Sequence, residues 1–125
     1  MIEGQINEHG TPLIPLRLAD RDWMAIVDTG FNGGLELPAV LAGVLDAESL
    51  GDVESRLAAG IVVTEEVFLV ELDFDGHHEF TPATFAAVDH VLLGTRLMRR
   101  HRLEIDFPKA TVRLTRATDS GSTHP

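Results

Sequence analysis

The stretch Ala25-Ile26-Val27-Asp28-Thr29-Gly30-Phe31-Asn32-Gly33-Gly34-Leu35-Glu36-Leu37-Pro38 runs from an apolar strand through one acidic residue into a glycine-rich loop, then out into a second strand. A strand ending in Ile26 and Val27 buries its side chains, so Asp28 starts at the rim of a core and needs hydrogen-bond donors. Thr29 and the amides around Gly30 are the nearest supply. Gly30, Gly33 and Gly34 permit backbone approaches that other residues resist, and Leu35-Glu36-Leu37 resumes strand alternation beyond the turn. The loop therefore holds one carboxylate in a backbone-dense setting.

A second stretch, Val91-Leu92-Leu93-Gly94-Thr95-Arg96-Leu97-Met98, again joins an apolar run to a glycine, here leading into a short helix. Together the two stretches resemble the paired hallmarks of the retropepsin-like aspartic proteases: an apolar pair followed by Asp-Thr-Gly, and a later apolar pair followed by glycine and a helix. They occur in the family's order and at about its separation, and the likeness in pattern extends from about Leu16 to Leu114. The resemblance implies a mostly β, retropepsin-like acid-protease fold, with short strands, a flap hairpin and one or two short helices. It implies a catalytic loop of Asp28, Thr29 and Gly30, in which Thr29 bonds across a two-fold axis and Gly30 keeps two loops close. It also places the flap tip at Ala58, Ala59 and Gly60. These three and Phe31 are the expected substrate-binding residues. Phe31 stands where many retroviral and pepsin-like members carry a small residue, and it either lines a substrate pocket or fills an interface.

The chemistry follows from the residue types. Hydrolysing a peptide without a metal or a nucleophilic side chain needs one group to take a proton from water and another to give one to the substrate. Two adjacent carboxylates sharing one proton do both, because close like charges do not both ionise easily. The chain has one Asp-Thr-Gly, so the pair requires Asp28 from each of two subunits, and a homodimer becomes a condition of activity. The resulting expectation is an aspartic endopeptidase acting on peptide or protein substrates. The alternative is a non-catalytic dimer of the same fold that binds a peptide or protein partner.

Composition narrows the setting. With 125 residues, 44% hydrophobic and 24% charged, the chain is sized for one domain. A formal net charge of −10 disfavours nucleic acid and anionic membranes and mildly favours cationic partners. The absence of cysteine removes disulfides, thiolate chemistry and cysteine-ligated zinc. No cofactor is expected. The first residues lack a basic region followed by an apolar run, and no stretch approaches membrane-spanning length, so a cytoplasmic location is the reading by elimination.

Ile2 to Ile6 alternates weakly, and patterning predicts a hairpin of Leu13–Leu18 with Trp23–Val27 and a short helix over Ala39–Leu45 opened by Pro38. Asp46 to Asp52 reads as a connection. Strands are expected at Val53–Leu57 and Ile61–Phe74, with Phe68, Val70, Leu72 and Phe74 on one face. Asp75-Gly76 signals a hairpin into His77–Phe80, and Thr84–Val88 gives a further strand. A short helix is expected from Thr95 to Arg102, followed by a closing hairpin of Leu103–Phe107 with Thr111–Leu114. The domain is expected to span residues 1–115, with 116–125 a disordered tail.

Other candidates have plainer explanations. His77 and His78 beside Asp73, Asp75 and Glu79 offer metal-ligand types, but adjacent strand residues point oppositely and a solvated hairpin accounts for them. No metal site is expected. Arg96, Arg99, Arg100 and Arg102 suit the end of a helix, where its dipole favours cations. Ser120 and Ser122 have no organised partner for a serine triad.

Overall fold

The computed structural model describes residues 1–118. Its strands are β1 (Ile2–Ile6), β2 (Pro12–Leu18), β3 (Arg21–Val27), β4 (Leu35–Pro38), β5 (Ala47–Arg56), β6 (Val62–Phe74), β7 (His77–Ala86), β8 (Val91–Leu93), β9 (His101–Asp106) and β10 (Thr111–Arg116). One helical turn, α1 (Thr95–Met98), joins β8 to β9. The fold is mostly β, as expected from the sequence.

Hydrogen bonds join the strands in the order β5-β6-β7-β4-β8-β3-β2-β1-β10-β9. Hairpins explain most neighbours, since short turns return the chain antiparallel to itself. Ala19 and Asp20 at the β2–β3 turn, and Asp75 and Gly76 at the β6–β7 turn, all have positive φ, which matches the twist of a two-residue hairpin. The other pairs join strands distant in sequence, and two of them are parallel: β3 with β8, and β4 with β7. Because β8 also pairs antiparallel with β4, it is inserted between two strands that follow each other in sequence. That insertion brings the two glycine stretches together.

The sheet curls around one core. Ile14, Leu16 and Leu18 of β2, Val70, Leu72 and Phe74 of β6, and Val112 and Leu114 of β10 share a single buried cluster with Leu35, Leu37, Val91 and Leu93. The predicted alternation on β6 holds: Val70, Leu72 and Phe74 are buried, Phe68 packs partly buried against them, and Asp73 is exposed. No helix among the described residues is long and apolar enough to cross a membrane.

Four expectations require correction. Asp46 to Asp52 is not a connection but most of β5, which pairs with β6 from Ala47↔Val70 to Arg56↔Val62. Its side chains are almost all exposed, so no hydrophobic alternation marks it; backbone pairing along one edge holds it. The helix over Ala39–Leu45 is only a 3₁₀ turn at Ala39–Leu41, after which Val44 and Leu45 amides both return to the Leu41 carbonyl. Pro38 ends β4 and precedes that turn. The helix from Thr95 stops at Met98, once Leu97 and Met98 are buried, and His101 already pairs with Arg116 in the closing hairpin. Finally, β7 is one strand through Pro82, which lies just before the first β4 partner, Ala83. At the C-terminal end, β10 runs through Arg116 and the Ala117 amide donates to the Arg100 carbonyl; residues 119–125 of the expected tail lie outside the described residues.

A polar chain, exposed at Met1 and buried at the His101 imidazole, lies at the base of the β6–β7 turn. The Met1 ammonium donates to Asp75 Oδ1 at 2.6 Å, and His101 Nε2 lies 3.3 Å from Asp75 Oδ2, with the imidazole 1% exposed and edge-on to Phe74. Burial alone would raise the Asp75 carboxyl, but the hydrogen bond and charge of the Met1 ammonium, together with His101, hold it below its ordinary value. Burial likewise pushes His101 below its ordinary 6.5, against the pull of Asp75. The unfolded chain therefore binds a proton at His101 more readily than the folded one, so this contribution is complete above pH 6.5 and is lost as pH falls below it. The stability advantage of wild type over His101→Gln should narrow as pH drops from about 7 to about 5, measured by urea unfolding. A constant difference would show that His101 binds its proton equally well in the folded and unfolded states.

Candidate active site

The end of β3 delivers Asp28 beside β8. The Asp28 amide donates to the Leu93 carbonyl at 3.0 Å, extending the parallel pairing by one bond before the chain leaves the sheet. The loop then folds back on its own carboxylate, with the Gly30 amide donating to Asp28 Oδ1 at 3.0 Å and the Phe31 amide to the Asp28 carbonyl at 3.2 Å. Asp28 is half-buried, while Thr29 and Gly30 are exposed. Among the described residues nothing bonds Asp28 Oδ2, so this oxygen is free to meet a water or a second acid.

The second glycine stretch locks this loop from behind. The Gly94 amide donates to the Gly34 carbonyl at 2.8 Å, the Thr95 amide to the Phe31 carbonyl at 2.8 Å and the Arg96 amide to the Gly33 carbonyl at 3.2 Å. Carbonyls of the first loop thereby satisfy the otherwise unpaired amides that open α1. The approach leaves no room for side chains: a methyl on Gly94 would overlap the Gly33 carbonyl, and one on Gly34 would overlap Thr81 and the Pro82 carbonyl. These glycines are required by proximity.

A cavity of about 250 Å³ opens beside the loop. Phe31, Gly33, Gly34 and Leu35 form one wall, Val53, Ser55, Glu65 and Val67 of the β5–β6 hairpin another, and Pro82, Ala83 and Thr84 the rest. Phe31 is thus brought to a cavity, whereas Ala58, Ala59 and Gly60 stand at the exposed hairpin tip and do not line it. Ala59 and Gly60 hold φ of 65° and 76°, and the tip is closed by the Leu57 amide bonding to the Ile61 carbonyl at 2.6 Å. Val53, Ser55, Glu65 and Val67 were not singled out from the sequence. The registers Val53↔Glu65 and Gly51↔Val67 put them on one hairpin face, a pattern obtained by counting alternate residues back from the tip.

The other polar groups separate from this site. His78 is clasped on the surface by Glu71 at 2.8 Å and Asp73 at 3.2 Å, and its hydrogen bonds to Asp73 and Glu71 raise its pKa. No group of three or more metal-ligand side chains is suitably placed among the described residues. Arg102 pairs with Glu104, while Arg96, Arg99 and Arg100 border a polar cavity of about 110 Å³ together with the Arg116–Glu79 pair.

No protein-family description matches the sequence, and no curated protein matches it. Among solved structures, the chain is similar to a retropepsin-like aspartic protease from Rickettsia conorii, with a TM-score of 0.59 and 20% identity over 93% of this chain and 91% of that one. The chain has the retropepsin-like fold. A foamy viral protease-reverse transcriptase, solved in complex with an RNA/DNA hybrid, is also similar, with a TM-score of 0.58 and 13% identity over 75% of this chain. The chain spans only 13% of that protein's length. In the retropepsin-like fold of this chain, the contact of the two glycine stretches sets the position of Asp28. Gly94→Ala should therefore lower stability by about 1–3 kcal/mol in chemical denaturation, since the clash is with backbone. An unchanged midpoint would show that the loops can separate freely.

Proposed function

We propose that the protein is an aspartic peptidase whose active site is completed by a second copy of the chain. The observation that carries this reading is Asp28 itself: a half-buried carboxylate, fixed through Oδ1 by the Gly30 amide and open at Oδ2, on a retropepsin-like fold whose same loop gives Phe31 to a cavity bounded by a long hairpin. Two such loops facing across a two-fold axis bring two Asp28 carboxylates together with one proton between them. The ionised carboxylate takes a proton from water as the water oxygen bonds to the peptide carbonyl carbon, and the protonated one gives its proton to the carbonyl oxygen. Collapse of the tetrahedral intermediate breaks the C–N bond, with a proton passing to the departing amine. Thr29, exposed and without a partner among the described residues, is the group available for bonding across the axis.

In this reading the β5–β6 hairpin closes over bound peptide, with Ala58, Ala59 and Gly60 at its tip. The proposed domain ends near residue 115, and the cysteine-free composition suits a cytoplasmic setting. No cofactor enters the chemistry.

Asp28→Asn keeps the side-chain volume and removes the acid–base function. It should reduce peptide turnover by about a thousandfold or more while leaving the sedimentation behaviour of a dimer intact. Activity should follow a bell-shaped pH profile on the acidic side of neutrality, because the working pair needs one ionised and one protonated member. Partner binding without cleavage in both forms would favour the non-catalytic dimer. Full activity in a sedimenting monomer would exclude the shared pair.

A further inference from the structure

We infer that Glu65 makes the cleft select a basic side chain, arginine ahead of lysine, at the substrate position that occupies the cavity beside Phe31. The inference rests on the reading of this cleft as a peptide site.

The hairpin register sets Glu65 toward the cavity beside Phe31, and Glu65 also borders a second cavity with Thr64 and Glu66. Val53↔Glu65 and Gly51↔Val67 share the face that lines the cavity, whereas Asp52↔Glu66 and Glu54↔Thr64 alternate to the other. Glu66 is engaged there by the Ser49 hydroxyl at 2.6 Å. Elsewhere, Glu71 holds His78 and Glu79 holds Arg116. Glu65 makes no hydrogen bond or ion pair among the described residues, and no basic side chain of the chain lines the cavity with it. It is the one charged group on walls otherwise formed by Phe31, Leu35, Val53, Val67, Pro82 and Ala83 with neutral neighbours.

Such a cavity fits a side chain with an apolar stem and a cationic end. The methylenes of arginine or lysine pack against Phe31 and the valines while the head reaches the carboxylate. A purely apolar occupant fills the space but strips water from Glu65 without giving it a partner, and an acidic one is repelled. Arginine gains further from its planar fork, which bonds a carboxylate through two donors, and from stacking on an aromatic face such as Phe31. The net charge of −10 draws cationic peptides toward the same cleft.

The test uses the full chain and peptides identical except for arginine, lysine, norleucine or glutamate at one scanned position, with cleavage followed by mass spectrometry. The arginine-to-norleucine ratio of kcat/KM should be on the order of tenfold, fall close to unity in Glu65→Gln, and turn toward glutamate in Glu65→Arg. Thermal melts establish that each variant is folded. The same peptides are also titrated by fluorescence anisotropy into Asp28→Asn protein with and without Glu65→Gln. Charge-selective binding that is lost with Glu65→Gln supports the inference even if no cleavage occurs. Cleavage or binding with no charge preference, or a preference unchanged in Glu65→Gln, overturns it while leaving the peptide site standing. If no peptide is cleaved or bound, both readings fall.

Discussion

Everything near Asp28 depends on the Gly94 amide reaching the Gly34 carbonyl at 2.8 Å. That bond exists because β8 is threaded between β3 and β4, parallel to one and antiparallel to the other. A three-residue strand has little intrinsic stability, so its position is fixed by what lies on both sides: Val91 and Leu93 are fully buried, and the Leu93 carbonyl takes the Asp28 amide. The carboxylate is therefore positioned by rigid backbone rather than by a flexible side-chain network. Loops so held keep a reactive group within the tolerance that acid–base chemistry demands.

The two halves of the molecule have different energetics. From β1 to β4 and from β8 to β10, alternate residues enter a common core, and removing one of them leaves a cavity in close-packed surroundings. The outer hairpin of β5 and the first half of β6 is mostly exposed on both faces. It has backbone pairing and few apolar contacts, which is the character of a segment able to open locally without unfolding the rest. A firm floor carrying Asp28 and a loosely anchored cover carrying Val53, Ser55, Glu65 and Val67 together form the cavity.

How much of this was legible follows from which physical signals sequence carries. Strands with one buried face announce themselves by alternation, as Val70, Leu72 and Phe74 do, and the Asp75-Gly76 turn does so by its tolerance of positive φ. The glycine stretches were readable as a pair because their spacing and order resemble a known arrangement. The β5 arm is not legible at Asp46–Asp52 because a strand wet on both faces has no hydrophobic period. Local propensity extends the helices over Ala39–Leu45 and Thr95–Arg102 too far, since it does not reveal that Val44 folds back to Leu41 or that His101 is claimed by Arg116. At the site, Phe31 was visible as an unusual bulky residue, but Glu65 was hidden among five other carboxylates between Asp46 and Glu66. Only the register across the hairpin singles it out.

The shared carboxylate pair is tested most directly by mixing chains. On the proposed mechanism, wild-type and Asp28→Asn proteins, unfolded together and refolded at equal concentration, would form homodimers and mixed dimers at random, and a mixed dimer would have one acid where two are needed. Activity of the mixture should be about one quarter of that of the same total amount of wild type, following the square of the wild-type fraction. Activity of about one half, linear in the wild-type fraction, would mean that each chain works alone and would contradict a site built from two copies of Asp28.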